Sequence, residues 1–170
     1  MRLITILFLL TLSVLLKGQT NNPFLKLNYD KVIMYDFDGT KELNLSIVDN
    51  NGELAKSIKK QVQLDKTTIT ELNTRLGTKK SFGEQPAACF EPHLGIVYYF
   101  GRKIVGHITI CLSCHRLSSS INLPAQRQGQ EGKGQDKIYT RNGLSESFEK
   151  FIEQLITKNN FSFGPLPPSG

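Results

Sequence analysis

The sequence predicts an α+β domain: an antiparallel sheet with two helices packed on one face, and a central hairpin that carries the cysteines. Three observations lead there. Residues 95–100 (GIVYYF) and 103–111 (KIVGHITIC) are two strongly β-favouring runs separated only by Gly101-Arg102, which reads as a hairpin. Phe148, Phe151, Ile152, Leu155 and Ile156 recur with the spacing of one helix face, while Glu149, Lys150, Glu153 and Gln154 fall on the other. A third segment, from Thr68 to Gly77, carries start and stop signals of a helix.

The elements follow in order. Residues 31–36 (KVIMYD) are apolar and β-favouring and read as a strand, with Asp38-Gly39 as a turn after it. Residues 43–47 alternate apolar and polar, the pattern of a half-buried strand, and Asp49-Asn50-Asn51-Gly52 turns the chain. A further strand is expected around residues 60–64. Thr68 and Glu71 have the spacing of a capping box, in which each side chain satisfies the other's backbone N–H. The helix they open should pass through Leu72 and Leu76 and stop at Gly77. Glycine at the first central position of the 101–102 turn suits type II′. Residues 118–136 are rich in Ser, Gln and Gly and read as a mobile surface loop. Ser145 is placed to cap the last helix.

The amino terminus sets the compartment. Arg2 precedes an apolar run at 3–16, and Lys17, Gly18 and Gln19 then break it. A basic residue, a short apolar stretch and a polar exit are the parts of a secretory signal peptide. About fourteen residues is short of the roughly 20 that span a bilayer. Residues 1–19 are therefore read as a signal peptide, 20–163 as one α+β domain and 164–170 as a disordered tail, and the mature protein as secreted or periplasmic. Loss of Arg2 and Lys17 lowers the formal charge from +6 to +4. With Lys and Glu interspersed, that excess suits a solvated surface better than a nucleic-acid binder. No second apolar run approaches membrane length, so no stable insertion is expected after cleavage.

Export permits disulfides and makes a free thiol notable. The chain has three cysteines, Cys89, Cys111 and Cys114. If Phe100 opposes Lys103 across the turn, the register continued outward sets Cys89 across from Cys114 and Pro92 across from Cys111. Directly opposed residues have Cα atoms within disulfide range, though Pro92 removes a ladder donor.

Four chemistries compete for this cluster. A structural disulfide with one buried thiol left over is the plainest. Cys89, His93, Cys111 and Cys114 form a Cys3His set that suits tetrahedral zinc. Cys111-Leu112-Ser113-Cys114 has the C-x-x-C spacing of thiol–disulfide exchange. Cys111, Cys114 and His115 spell the attachment motif of c-type haem, with two thioether positions and an axial histidine. His107, inside the 103–111 strand, reads as a sheet residue. Asp36 and Asp38, two residues apart after an apolar strand, imitate the first motif of haloacid-dehalogenase-type phosphatases. No later acidic pair exists to hold Mg²⁺, so they are read as the end of a strand and its turn. The chain has no G-x-S-x-G, P-loop or H-E-x-x-H motif, and no catalytic residue is assigned.

The segments 89–99 (CFEPHLGIVYY), 110–117 (ICLSCHRL), 123–126 (LPAQ) and 143–148 (GLSESF) together resemble an uncharacterised family of small secreted bacterial proteins. Its pattern is a C-x-P-x-x-G hairpin followed by C-x-x-C; in this chain two residues separate Cys89 from Pro92. The likeness covers roughly residues 61–163. It implies that the three cysteines belong to one unit, and it carries no function with it. The family often has Asn after the last cysteine, where this chain has His115, which counts against haem.

Overall fold

The computed structural model describes residues 22–42, 45–86, 90–126, 128–131 and 138–162. The expected signal peptide at 1–19 and the expected disordered tail at 164–170 lie outside these residues, as does Cys89. Helix α1 (Pro23–Lys26) is followed by strands β1 (Lys31–Asp36) and β2 (Lys60–Gln63), and helix α2 (Lys66–Leu76). Strands β3 (Phe82–Pro86), β4 (Leu94–Phe100), β5 (Lys103–Cys111), β6 (Arg116–Ser119), β7 (Gln128–Glu131) and β8 (Ile138–Leu144) lead to helix α3 (Glu146–Lys158). Five strands form an antiparallel sheet in the order β2-β1-β4-β5-β6, and β3-β8-β7 form a second sheet. No helix among the described residues is long and apolar enough to cross a membrane.

Both faces of the five-stranded sheet are covered, which is why β4 is buried at every position except Phe100. Val32, Met34, Ile96, Tyr98, Ile108 and Ile110 share one core with Ile69, Leu72 and Leu76 of α2 and with the whole apolar stripe of α3. The two helices thus cover one face, as expected. Tyr35, Val97 and Tyr99 alternate onto the opposite face, where Phe37, Ile47, Val48 and Ala55 cover them.

That second cover corrects the expected strand at 43–47. Residues 45–47 form bends, and Leu45 has a left-handed φ of 48°; residues 43 and 44 lie outside the described set. Beyond them is only an isolated bridge, Val48 to Leu54. The segment crosses the face of the sheet instead of joining its edge. The Thr109 hydroxyl takes the Ile47 N–H at 3.2 Å, and Ile47 lies so close to Gly95 that a Cβ there would sit 2.2 Å from Ile47 Cγ1.

Two helix caps also differ from expectation. Asp65, not Thr68, caps α2: its carboxylate accepts the Thr68 N–H at 2.8 Å and the Thr68 hydroxyl at 3.0 Å. Glu71 pairs instead with Arg75, one turn on, at 2.7 Å. Ser145 occupies the cap position of α3, but its hydroxyl bonds to that of Ser147 at 3.2 Å and not to the backbone.

The expected mobile loop at 118–136 contains the end of β6 and all of β7. Leu123 and Ala125 are buried in the main core. The buried Gln126 amide donates to Leu117 O and Asn142 O, both at 3.2 Å, tying β6 to β8. Over residues 118–126, serine and glutamine content misleads because two apolar anchors and one cross-linking amide hold the chain against the core. Residues 127 and 132–137 lie outside the described set.

Candidate functional site

Gly101 has a φ of 60° while Arg102 does not adopt a positive φ, the sign pattern of a type II′ turn, and Phe100 opposes Lys103 as expected. The register does not continue outward unchanged. Tyr99 faces Ile104, but Tyr98 faces Gly106, so Val105 is an inserted bulge residue. The one-residue shift then holds to Leu94 opposite Ile110. Cys111 and Cys114 do not lie across β4. They sit where β5 turns back onto β6, with Cys111 opposite Arg116. The sequence carries no signal for a bulge at Val105, and one extra residue moves every projected partner.

The turn at residues 112–115 is held from several sides. His115 N–H donates to Leu112 O at 3.0 Å. His115 takes a left-handed φ of 51°, an uncommon conformation for a residue with a Cβ. Its carbonyl accepts the Leu144 N–H at 2.6 Å, and its Nδ1 meets Glu149 of α3. The turn is thereby fixed to the end of β8 and to the last helix. Arg116 lies over the Phe90 ring, 5.0 Å from its centroid.

Within this turn the two sulfurs differ. Cys111 is a free thiol with no solvent exposure. Cys114 is disulfide-bonded and is also buried. The Ser113 hydroxyl lies between them, 3.3 Å from Cys111 Sγ and 3.9 Å from Cys114 Sγ. Attachment of c-type haem needs both sulfurs as thiols, and here Cys114 carries a disulfide; His115 reaches to α3.

His93 stands just beyond the ladder, its N–H donating to Ile110 O at 3.2 Å and its carbonyl accepting from Phe37 at 3.1 Å. Burial lowers its pKa below the ordinary value, and nearby Asp38 opposes that shift. Of the proposed zinc set, Cys89 lies outside the described residues. Among those described, no three His, Cys, Asp or Glu side chains converge to hold a metal ion.

The carboxylates of the phosphatase-like motif have structural partners. Asp36 is buried, and its Oδ2 accepts both the N–H and the hydroxyl of Ser162, at 2.7 and 2.6 Å. It anchors the chain after α3 against β1. Asp38 accepts the Thr40 hydroxyl at 2.6 Å and pairs with Lys41 at 3.3 Å.

Sequence reasoning missed one feature. A cleft of about 770 Å³ runs beside residues 102–107 of the hairpin, with the 48–54 turn as its far wall. His107 lines it, half-buried, and its buried Nδ1 has no hydrogen-bond partner among the described residues. The sequence reading of His107 as a sheet residue gives no sign of a cleft, because the opposite wall comes from residues 48–54.

No family model, curated protein or solved structure matches the chain.

Proposed function

We propose that the chain is an exported, non-catalytic domain whose cysteines staple the β5–β6 turn, with Cys114 paired to Cys89 and Cys111 left as a buried thiol. One observation carries the reading: the C-x-x-C segment does not close on itself, because Cys114 is disulfide-bonded while Cys111 is free. Cys89 is the one remaining cysteine of the chain. The signal-peptide character of residues 1–19 supplies an oxidising compartment in which such a bond persists. The likeness of the cysteine pattern to that of small secreted bacterial proteins points the same way.

Redox catalysis through Cys111 and Cys114 is less well supported. An exchanging thiol must be reachable and must ionise readily, and Cys111 has no solvent exposure. Zinc held by Cys89, His93, Cys111 and Cys114 would require Cys114 as a thiolate.

A Cys89–Cys114 bond closes a loop whose cross-link removes roughly 3.5 kcal/mol of unfolded-state entropy on the chain-entropy account. Cys114→Ser is therefore expected to lose about 2–5 kcal/mol of stability, read by urea unfolding of the mature protein. Equal unfolding midpoints for Cys114→Ser and wild type would sink the staple. A pair reduced by a mild glutathione buffer, with turnover of a dithiol substrate, would favour the exchange reading.

A further inference from the structure

The outer half of β5 is an unpaired sheet edge. β6 pairs with Ile108, Thr109, Ile110 and Cys111, and Ser120 then closes off His107: its N–H donates to His107 O at 3.0 Å and its Oγ accepts the His107 N–H at 2.8 Å. Residues 103–106 have β4 on one side and, among the described residues, no strand on the other. At about 3.3 Å per residue that is roughly 13 Å of open edge. The cleft runs along the same stretch.

Two further observations give the cleft a character. Its walls combine apolar Val48, Leu54, Ile104 and Ile121 with the cations Arg102 and Lys103. Both cations are exposed, and neither forms an ion pair with a described residue. Asp49 is a carboxylate on the wall, but it is already occupied. Its Oδ1 accepts the N–H groups of Asn51 and Glu53 at 2.9 and 2.8 Å.

From this juxtaposition we infer that the open β5 edge and its cleft form a docking groove for an extended peptide, which adds a strand in line with β6. Backbone hydrogen bonds to residues 103–106 would supply affinity. Alternate side chains would enter the cleft, apolar ones toward Leu54 and Ile104, an acidic one toward Arg102 and Lys103. A second copy of this chain is disfavoured as the occupant, because the protein is net basic and brings more cations than carboxylates to the edge. The inference does not depend on the cysteine pairing, which lies at the other end of β5.

The test is a titration of the isotope-labelled mature protein, followed by amide resonances. The probe is an acetylated and amidated hexapeptide of alternating valine and threonine that ends in two glutamates. Controls are the same peptide N-methylated at alternate amides and a version ending in two lysines. The expected result is shifts confined to residues 48–54 and 102–107, with slowed amide exchange along the edge. The N-methylated and lysine peptides should bind at least about tenfold more weakly. The double variant Arg102→Gln/Lys103→Gln, on an exposed turn that leaves the core intact, should weaken the glutamate peptide by roughly tenfold. Four results would overturn the inference: no shift at millimolar peptide, shifts elsewhere, equal binding of the N-methylated peptide (a site for side chains or small anions only), or a dimer of the protein alone with its edge amides protected.

Discussion

Replacing Asn73 with alanine should unsettle the contact on which α1, α2 and β4 converge. Asn73 lies on α2 and is 2 % exposed. Its Oδ1 accepts the Tyr98 hydroxyl of β4 at 2.7 Å, and its Nδ2 donates to the Tyr29 hydroxyl at 3.2 Å. Its backbone carbonyl accepts the Asn22 amide at 2.7 Å, just before α1. Tyr98 has no exposure and is packed between Phe24 and Tyr29, with ring centroids at 5.0 and 5.3 Å. Burial and the neighbouring Tyr29 push its phenol well above the ordinary value, so the hydroxyl stays a neutral donor that needs an acceptor. Asn73→Ala strands that donor where water cannot reach it, at about 1–3 kcal/mol. Adding the lost Tyr29 bond at about 1 kcal/mol gives a total near 2–4 kcal/mol. Tyr98→Phe removes the donor and leaves Asn73 Oδ1 unpaired, again about 1–3 kcal/mol. Because both changes break the same bond, their sum should exceed the double variant by at least about 0.5 kcal/mol. Urea unfolding of the four proteins at constant m gives each value. Losses below about 0.5 kcal/mol for each single change, or strict additivity, would refute the reasoning.

Gly95→Ala should cost about 1–3 kcal/mol by overpacking, since the new Cβ would lie 2.2 Å from Ile47 Cγ1; thermal unfolding checks it, and an unchanged midpoint would show that the 45–47 segment lifts off freely. Stability should also fall as pH drops below the ordinary histidine value of 6.5, because burial lowers the folded pKa of both His107 and His93. The unfolded chain then binds protons that the folded chain refuses, so the contribution is whole above that pH and is lost as pH falls toward the folded values. Melting points at pH 7.5 and 5.5 should differ less in His107→Gln; a wild-type melting point that rises on acidification would contradict the sign.

What was legible in the sequence was what short-range pattern encodes. The stripe from Phe148 to Ile156 could only be the inner face of a helix, and it is buried throughout. The 95–100 and 103–111 runs are β-branched and aromatic and flank a glycine with positive φ, and they form the central hairpin. What failed was decided at long range. The alternation at 43–47 looks like a strand, but Thr109 and Gly95, far along the chain, draw Ile47 flat across the sheet. β3, with glycine and proline in FGEQP, carries little strand signal and exists because β8 pairs with it irregularly. Cys111 and Cys114 stand at one end of β5, yet their geometry turns on a bulge at Val105 and a left-handed His115. The cleft, whose walls lie some fifty residues apart in the chain, is invisible to any local reading.

The staple is tested most directly by the intact mass of protein exported into an oxidising compartment, denatured and alkylated without reductant, followed by peptide mapping. One added alkyl group, carried by Cys111, with Cys89 and Cys114 recovered as a linked pair, is the predicted result. Three added groups, or a label on Cys89 with Cys111 and Cys114 joined, would contradict it.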